Sequence, residues 1–287
     1  ERAVIPSLIP FAARARTEAA EPSGQPGQTP RNANTGEIMD DVVILSAART
    51  PIGSFQGSLS KLPAHRLGAR ALAGAIERAG LEPAAVEQVN MGCILTAGQG
   101  QAPARQAALG AGCPVDTGAV TLNKVCGSGM RAVMIAANDL RCGDYSIVAA
   151  GGMESMSNAP YLLPNARFGF RMGDVQALDA MTHDGLTNPF TGKQMIGEAS
   201  EVSNEMEITR ADMDRFAERS QHLAGEAIES GRIADEIVAV TVKGRKGDTT
   251  VETDEGPRPE TTLEALSKLR AVGGEGATHT AGNAPGV

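Results

Sequence analysis

Between residues 41 and 150, short apolar runs alternate with segments of helical spacing, and this alternation constrains the fold more than any other feature. Residues 42–47 are almost wholly apolar and rich in β-branched side chains, as expected of a strand covered on both faces. Residues 63–79 place Leu67, Ala71, Leu72, Ala75, Ile76 and Ala79 at helical spacing and close on Gly80, the residue type suited to a helix C-cap. Residues 86–92, 118–123 and 145–150 are further strand candidates. Residues 103–109, with Pro at the start, and 128–141 are further helices. In the last of these, Met130, Val133, Met134, Ala137 and Leu140 share a face. Strands separated by helices imply parallel pairing through right-handed crossovers, hence an α/β layered fold.

After Met153 the rhythm breaks into a stretch rich in Gly, Pro, Asn and Met, expected to be loop with short elements. Residues 209–228 form the strongest helix pattern in the chain. Thr209 and Asp212 resemble a capping box, and Met213, Phe216, Ala217, Ser220, Leu223, Ala224, Ala227 and Ile228 make the predicted buried stripe. A strand is expected over 237–243 and a short helix over 263–269.

The first 40 residues lack this organisation. They begin without Met, and residues 21–34 have no hydrophobic period. The apolar patch 4–13 is broken by Pro6 and Pro10 and has no basic lead, which argues against a secretory signal. Arg14 and Arg16 leave a mitochondrial presequence open, with Glu18 and Glu21 against it. The segment reads as a disordered tail, or as translated sequence upstream of a start at Met39. The expected organisation is a tail over 1–40, an α/β domain over 41–152, a mixed α+β insertion over 153–280, and a truncated return to the first domain over 281–287.

Composition narrows the function classes. A net charge of −8 argues against a phosphate-backbone partner, and 3% aromatic residues against a base-stacking surface. No apolar run approaches the roughly 18–20 residues of a membrane span. Cys93, Cys113, Cys126 and Cys142 form no CxxC pair and no metal-ligand spacing, so neither metal nor nucleic acid is expected, and a reducing cytoplasm fits.

Cys126 stands out in Asn-Lys-Val-Cys-Gly-Ser-Gly-Met, where the third strand gives way to the third helix. The positive end of a helix dipole and nearby N–H groups favour thiolate over thiol. Gly127 and Gly129 allow a sharp turn, and N–H groups after it are expected to face the oxygen of a carbonyl bonded to sulfur. The pattern suits an acyl-thioester nucleophile. The spacing equally suits a small buried thiol at a glycine turn.

Five segments, in order, carry a resemblance to the thiolase family of acyl-CoA acyltransferases. Residues 122–130 resemble its nucleophile motif. Residues 46–55, 98–108, 149–157 and 243–248 (Lys-Gly-Arg-Lys-Gly-Asp) resemble four other signatures, and the match runs from about 41 to 282. The resemblance implies a thiolase-like layered α/β domain, incomplete here, bearing an inserted mixed α+β loop domain. It also implies acetyl-CoA C-acetyltransferase chemistry: Cys126 takes acetyl from acetyl-CoA, then passes it to a second acetyl-CoA to give acetoacetyl-CoA, or runs the reverse thiolysis.

Coenzyme A thioesters would be substrates, with no further cofactor. Met195 would line the acyl pocket, Leu186 and Ala281 would lie beside the pantetheine arm, and Arg258 near the adenine end, while Lys243 and Arg245 would reach CoA phosphates. Packing or a solvated turn accounts equally for these types. Residues 166–174 resemble the loop through which such proteins assemble, implying a homo-oligomer, a tetramer. A longer-chain 3-ketoacyl-CoA thiolase and a non-enzymatic CoA-binding remnant are the alternative readings.

Departures are specific. Gln194 stands where many members carry a pocket histidine, Gly273 where they carry an aromatic residue, and Pro285 where they carry serine. The family's Gly-His-Pro histidine, its oxyanion-hole Asn and its second cysteine in Cys-x-Gly lie in a C-terminal half. His65, His183, His222 and His279 sit in no Gly-His-Pro context and read as exposed or satisfied. The 287-residue chain is therefore expected to show little Claisen activity alone, and to lack the strand that completes its first sheet.

Overall fold

A computed structural model of the chain describes residues 9–14, as backbone, and 41–286. These fall into two units, one within Glu1–Thr50 and Ala64–Glu154, the other within Pro51–Pro63 and Ser155–Val287.

The first unit is built on a five-stranded sheet of β1 (Ile9–Arg14), β2 (Val42–Ala48), β3 (Gln88–Gly92), β4 (Gly118–Leu122) and β5 (Ile147–Gly152). Its order is β2-β1-β5-β3-β4. β3 runs parallel to β4 and β5, as strand–helix alternation predicts, while β1 is antiparallel to both β2 and β5. Helices α1 (Ala64–Arg78), α2 (Pro103–Gly110) and α3 (Ser128–Cys142) connect the strands.

Alternation along the strands sorts the helices into layers. Val89, Met91 and Ala149 share a core with Leu72 and Ile76 of α1 and Ala104, Ala107 and Ala108 of α2. Val148 and Ala150 pack with Ala132, Ala136 and Leu140 of α3. Neighbouring positions of β5 thus feed opposite faces, and the unit is a three-layer α/β/α sandwich. On the α3 side β3 turns its polar residues inward: Gln88 Nε2 donates to Asn90 Oδ1 (2.9 Å), and Asn90 Nδ2 to Asp139 Oδ2 on α3 (3.2 Å).

Three expectations change. Ile9–Arg14 is a strand, not part of a disordered tail, because its backbone occupies the space between β2 and β5 and pairs on both sides; the rest of 1–40 lies outside the described residues. β2 is not covered on both faces: Val43, Ile44 and Leu45 are all exposed, Ile44 by 62%. The buried face of α3 is Ala132, Ala136 and Leu140, whereas Met130 (67% exposed) and Met134 point outward. Alanines at i and i+4 let the start of the helix lie close on the sheet, where the methionine row would hold it off, and Leu140 fills the core further along.

The second unit contains small pairs β6 (Tyr161–Leu162) with β7 (Leu178–Asp179), and β8 (Val240–Val242) with β9 (Thr249–Val251). It also holds α4 (Met195–Glu205), α5 (Arg210–Glu229) and the short α6 (Leu263–Ser267). The capping box of α5 is present, with Thr209 Oγ1 accepting from Asp212 N–H (3.2 Å) and Asp212 Oδ2 from Thr209 N–H (3.1 Å).

The inner face of α5 is more polar than its pattern predicts. Asp214 and Gly225 are buried, while Phe216 is 69% exposed and Leu223 and Ile228 are also exposed. The segment packed against α5 supplies the reason. Asp214 pairs with Arg210 (2.9 Å) and accepts from Asn283 Nδ2 (2.9 Å); Glu218 accepts from Leu263 N–H (2.8 Å) and Gln221 from Arg258 N–H (2.7 Å). Loop backbone carries donors that an apolar stripe would leave unpaired.

Domain boundaries also shift. Residues 51–63 group with the second unit because Ile52 N–H donates to Asp254, Ser54 N–H to Glu255 and Gln56 N–H to Ser157. Residues 281–286 group with the second unit, where Asn283 donates to Asp214.

Candidate active site

Cys126 is exposed, on the turn between β4 and α3. The turn sits on close backbone contacts that only glycines permit. A Cβ on Gly92, at the end of β3, would lie 2.6 Å from the Ser128 carbonyl carbon and 2.7 Å from Gly129 N; a Cβ on Gly152, at the end of β5, would lie 3.2 Å from Gly129 Cα. One glycine from each of two strands and one from α3 thus seat the start of the helix on the strand ends.

The turn is braced from within. Val125 N–H donates to Asn123 Oδ1 (2.8 Å), Lys124 N–H to Ser128 Oγ (2.8 Å), and Ser128 Oγ–H to Val125 O (2.6 Å). Val125, immediately before Cys126, has φ +48°. A β-branched residue is disfavoured there by about 1–3 kcal/mol, strain that the surrounding bonds hold in place. Gly127 N–H and Ser128 N–H, expected to face an oxyanion, instead close the turn on Lys124 O (3.1 Å) and Val125 O (3.0 Å). The Cys126 N–H takes no part in these bonds.

A cleft of about 410 Å³ opens beside the turn, lined by Cys93, Thr96, Pro103, Thr121 and Asn123 among others. Asn123 is shared between the cleft wall and the brace under Val125. Cys93 is the second thiol here, and its environment is opposite. It is buried, and burial first, then the Glu154 carboxylate, push its thiol up to about 12. Glu154 accepts from Ile94 N–H (2.7 Å) and Leu95 N–H (3.3 Å), fixing the loop after β3. Sequence reasoning missed Glu154, Val125, Gly92 and Gly152. Only the Gly-Gly-Met-Glu run at the end of β5 hinted at a carboxylate held at the strand ends.

The other candidate residues all lie in the second unit. Leu186 ends a π-turn (Met181–Leu186) and Met195 begins α4. An antiparallel bridge joins their neighbours Thr187 and Gln194, so the two segments that bear these candidates run side by side. Asn188 and Thr191 donate to Glu198 of α4 (2.7 and 2.6 Å), closing the same hairpin, and Gln194 serves as the N-cap residue of α4.

Arg258 is exposed on a turn anchored to Gln221, its Nη1 reaching Glu255 O (3.4 Å). Lys243 and Arg245 are exposed on the loop joining β8 to β9. Ala281 is exposed in a turn that Asn283 Oδ1 braces by accepting from Thr280 N–H (2.7 Å). Gly273 has φ +112°, and a Cβ there would meet Gly197 Cα and N at 3.1 Å, so no aromatic side chain fits this backbone.

The histidines divide. His222 bonds Thr261 O (2.9 Å), His279 bonds Ser200 Oγ (3.1 Å) and exposed His183 bonds Asp184 (2.7 Å), as expected. His65 departs: its Nδ1 is buried without a hydrogen-bond partner, and burial, then Arg66, lower its pKa.

An exposed cysteine on a glycine-seated turn at the ends of parallel strands marks the candidate site of this α/β unit, and comparison with known proteins gives the family. The chain matches the thiolase N-terminal domain over residues 42–287, and it belongs to that family. Acetyl-CoA acetyltransferases of Pseudomonas aeruginosa and Cupriavidus necator are 48% and 50% identical to it over 247 and 250 residues, covering 86% and 87% of this chain and 63% and 64% of theirs. The solved acetyl-CoA acetyltransferase from Syntrophomonas wolfei superposes with TM-score 0.80 at 38% identity, over 85% of this chain and 61% of that one. The Bacillus anthracis enzyme gives 0.83 at 37%, over 85% and 62%. The chain spans a little under two thirds of the length of these relatives.

Proposed function

We propose that the chain carries the acyl-accepting machinery of an acetyl-CoA C-acetyltransferase, an acetoacetyl-CoA thiolase. The observation that carries this reading is an exposed Cys126 on a braced, glycine-seated turn in a chain whose similar relatives are named acetyl-CoA acetyltransferases. In the first half-reaction Cys126 Sγ, as thiolate, attacks the carbonyl carbon of acetyl-CoA. The C–O π electrons move to oxygen, which the Cys126 N–H meets. The tetrahedral species collapses, the bond to CoA sulfur breaks, and the CoA thiolate leaves to take a proton from water.

The acetyl group then passes to the methyl carbon of a second acetyl-CoA, releasing Cys126 and giving acetoacetyl-CoA; thiolysis is the reverse. Removing that methyl proton is general-base work worth roughly 10²–10⁴ in rate, and no histidine of this chain is assigned to it. Leu186 and Met195, each next to a residue of the Thr187–Gln194 bridge, suit the acyl and pantetheine side of the ligand. Ala281 is assigned to the pantetheine arm. Arg258 suits the adenine end, and Lys243 and Arg245 suit its phosphates.

The loop over 166–174 exposes Phe168 (88%) and Met172 (96%), which supports assembly into a homo-oligomer, read as a tetramer. Four free thiols fit a cytoplasmic setting, and no helix among the described residues is long and apolar enough to cross a membrane. Mass spectrometry after exposure to acetyl-CoA tests the first half-reaction. One acetyl group on Cys126, absent in Cys126→Ser, is the expected result. No adduct on a folded chain overturns the reading.

A further inference from the structure

Val125 stands between the end of β4 and Cys126 in a conformation that its own side chain opposes. Five non-glycine residues among those described have positive φ, and Val125, at +48°, is the β-branched one. A valine placed there relaxes to negative φ unless the peptide groups beside it are held.

Both are held, each by a side chain. On the N-terminal side Val125 N–H donates to Asn123 Oδ1 (2.8 Å). On the C-terminal side Val125 O accepts from Ser128 Oγ–H (2.6 Å) and Ser128 N–H (3.0 Å). The second of these peptides also carries the Cys126 N–H. Because a peptide is planar, fixing its carbonyl fixes the way the chain enters Cys126.

The two clamps differ in what supports them. Ser128 is buried, seated against Gly92, and also accepts from Lys124 N–H (2.8 Å), so it braces the turn at more than one point. Asn123 is exposed on the wall of the cleft, and among the described residues its side chain has Val125 N–H as its one hydrogen-bond partner. Its backbone is fixed from behind, where Leu122 pairs with Gly92 and Leu122 O accepts from Cys93 N–H (3.0 Å). The Asn123 side chain thus reaches forward from a rigid strand end to choose the conformation of the residue next to the thiol.

We propose that Asn123 is a positioning residue for Cys126, acting through Val125, a role that rests on the acyl-transfer reading above. An acceptor two residues ahead of Val125 closes an Asx turn that keeps the valine left-handed. Without it Val125 relaxes, the peptide leading into Cys126 turns, and the sulfur loses its alignment with a bound thioester while staying open to a small reagent.

The test uses the full chain. In Asn123→Ala the rate of Cys126 acetylation from acetyl-CoA is expected to fall by about 10- to 100-fold, while alkylation by iodoacetamide keeps its rate. Asn123→Ser, which retains an oxygen acceptor, is expected to recover most of the loss. Val125→Gly supplies a residue that takes positive φ unopposed, so Asn123→Ala is expected to cost far less in that background. Equal acetylation of Asn123→Ala and the unaltered chain overturns the proposal. So does Asn123→Ser as slow as Asn123→Ala, or an undiminished loss in the Val125→Gly background. If the unaltered chain takes no acetyl group while iodoacetamide still labels Cys126, the acyl-transfer reading is overturned and the positioning role falls with it. Should Asn123→Ala fail to fold, hydrogen exchange of Val125 N–H in the unaltered chain decides: protection supports the clamp, and exchange at the free-peptide rate overturns it.

Discussion

Gly92→Ala tests the seat of the Cys126 turn directly. The added Cβ would lie 2.6 Å from Ser128 C and Cβ and 2.7 Å from Gly129 N. Carbon contacts are comfortable at about 3.5–4.0 Å, so the first turn of α3 must retreat by about 1 Å. The obstacle is backbone braced by the Lys124 and Val125 bonds to Ser128, and it cannot rotate away. Overpacking of this kind costs about 1–3 kcal/mol, and a nucleophile misplaced by about 1 Å loses on the order of 100-fold in rate. Gly256→Ala is the control, because nothing lies within 4 Å of its Cβ position. Thermal unfolding and the rate of Cys126 acetylation from acetyl-CoA are measured on both variants. Iodoacetamide labelling, which needs no alignment, confirms that the thiol is still reachable. The expected result is a melting temperature lower by several degrees (about 2–4 °C per kcal/mol), slow acetylation and near-normal alkylation. If Gly92→Ala matches Gly256→Ala in both stability and acetylation, the glycine contact does not position Cys126.

Thr209→Ala removes the acceptor for Asp212 N–H and is expected to lower stability by about 1 kcal/mol, read as a shift in denaturant midpoint, with Thr209→Ser restoring it. Cys93 has its thiol form favoured by folding, with a native pKa of about 12 against 9.0 for the free side chain. That contribution is complete below about pH 9 and is lost as pH rises toward 12. In native protein at pH 8, iodoacetamide should label Cys126 and Cys142 while Cys93 and Cys113 react only on unfolding; early Cys93 labelling would contradict its burial. Hydrogen bonds from Ser58, then Ser54, hold the Glu255 carboxyl below its ordinary 4.5. Its contribution is complete above that value and is lost as pH falls through the native pKa. The melting-temperature gap between the unaltered chain and Glu255→Gln should therefore narrow in acid, and a gap independent of pH would exclude the ionised clasp.

Elements were largely legible in the sequence because their signals are local. Gly80 closes α1 with φ +68°, Pro103 opens α2, and Thr209 and Asp212 cap α5, each through atoms within a few residues. The faces of those elements were less legible. On α3 and α5 the most hydrophobic row is not the buried one, since what lies opposite is a flat sheet for one and loop amides for the other. Spacing carries no information about the partner surface.

Cys126 follows the same division. Its glycine turn and its place before a helix are written in five consecutive residues, and the resemblance carried by five separate segments makes it the candidate nucleophile. Tertiary structure decided how the turn is held: Gly92 and Gly152 beneath it, Val125 at positive φ, and Gly127 and Ser128 amides spent inside the turn. It also decided that Cys93 is buried beside Glu154 and that Ile9–Arg14 joins the sheet. The Gly92, Gly152, Glu154 and Ile9–Arg14 contacts depend on atoms brought together across roughly 20 to 140 residues of chain, where packing and backbone pairing, not local propensity, choose the contact.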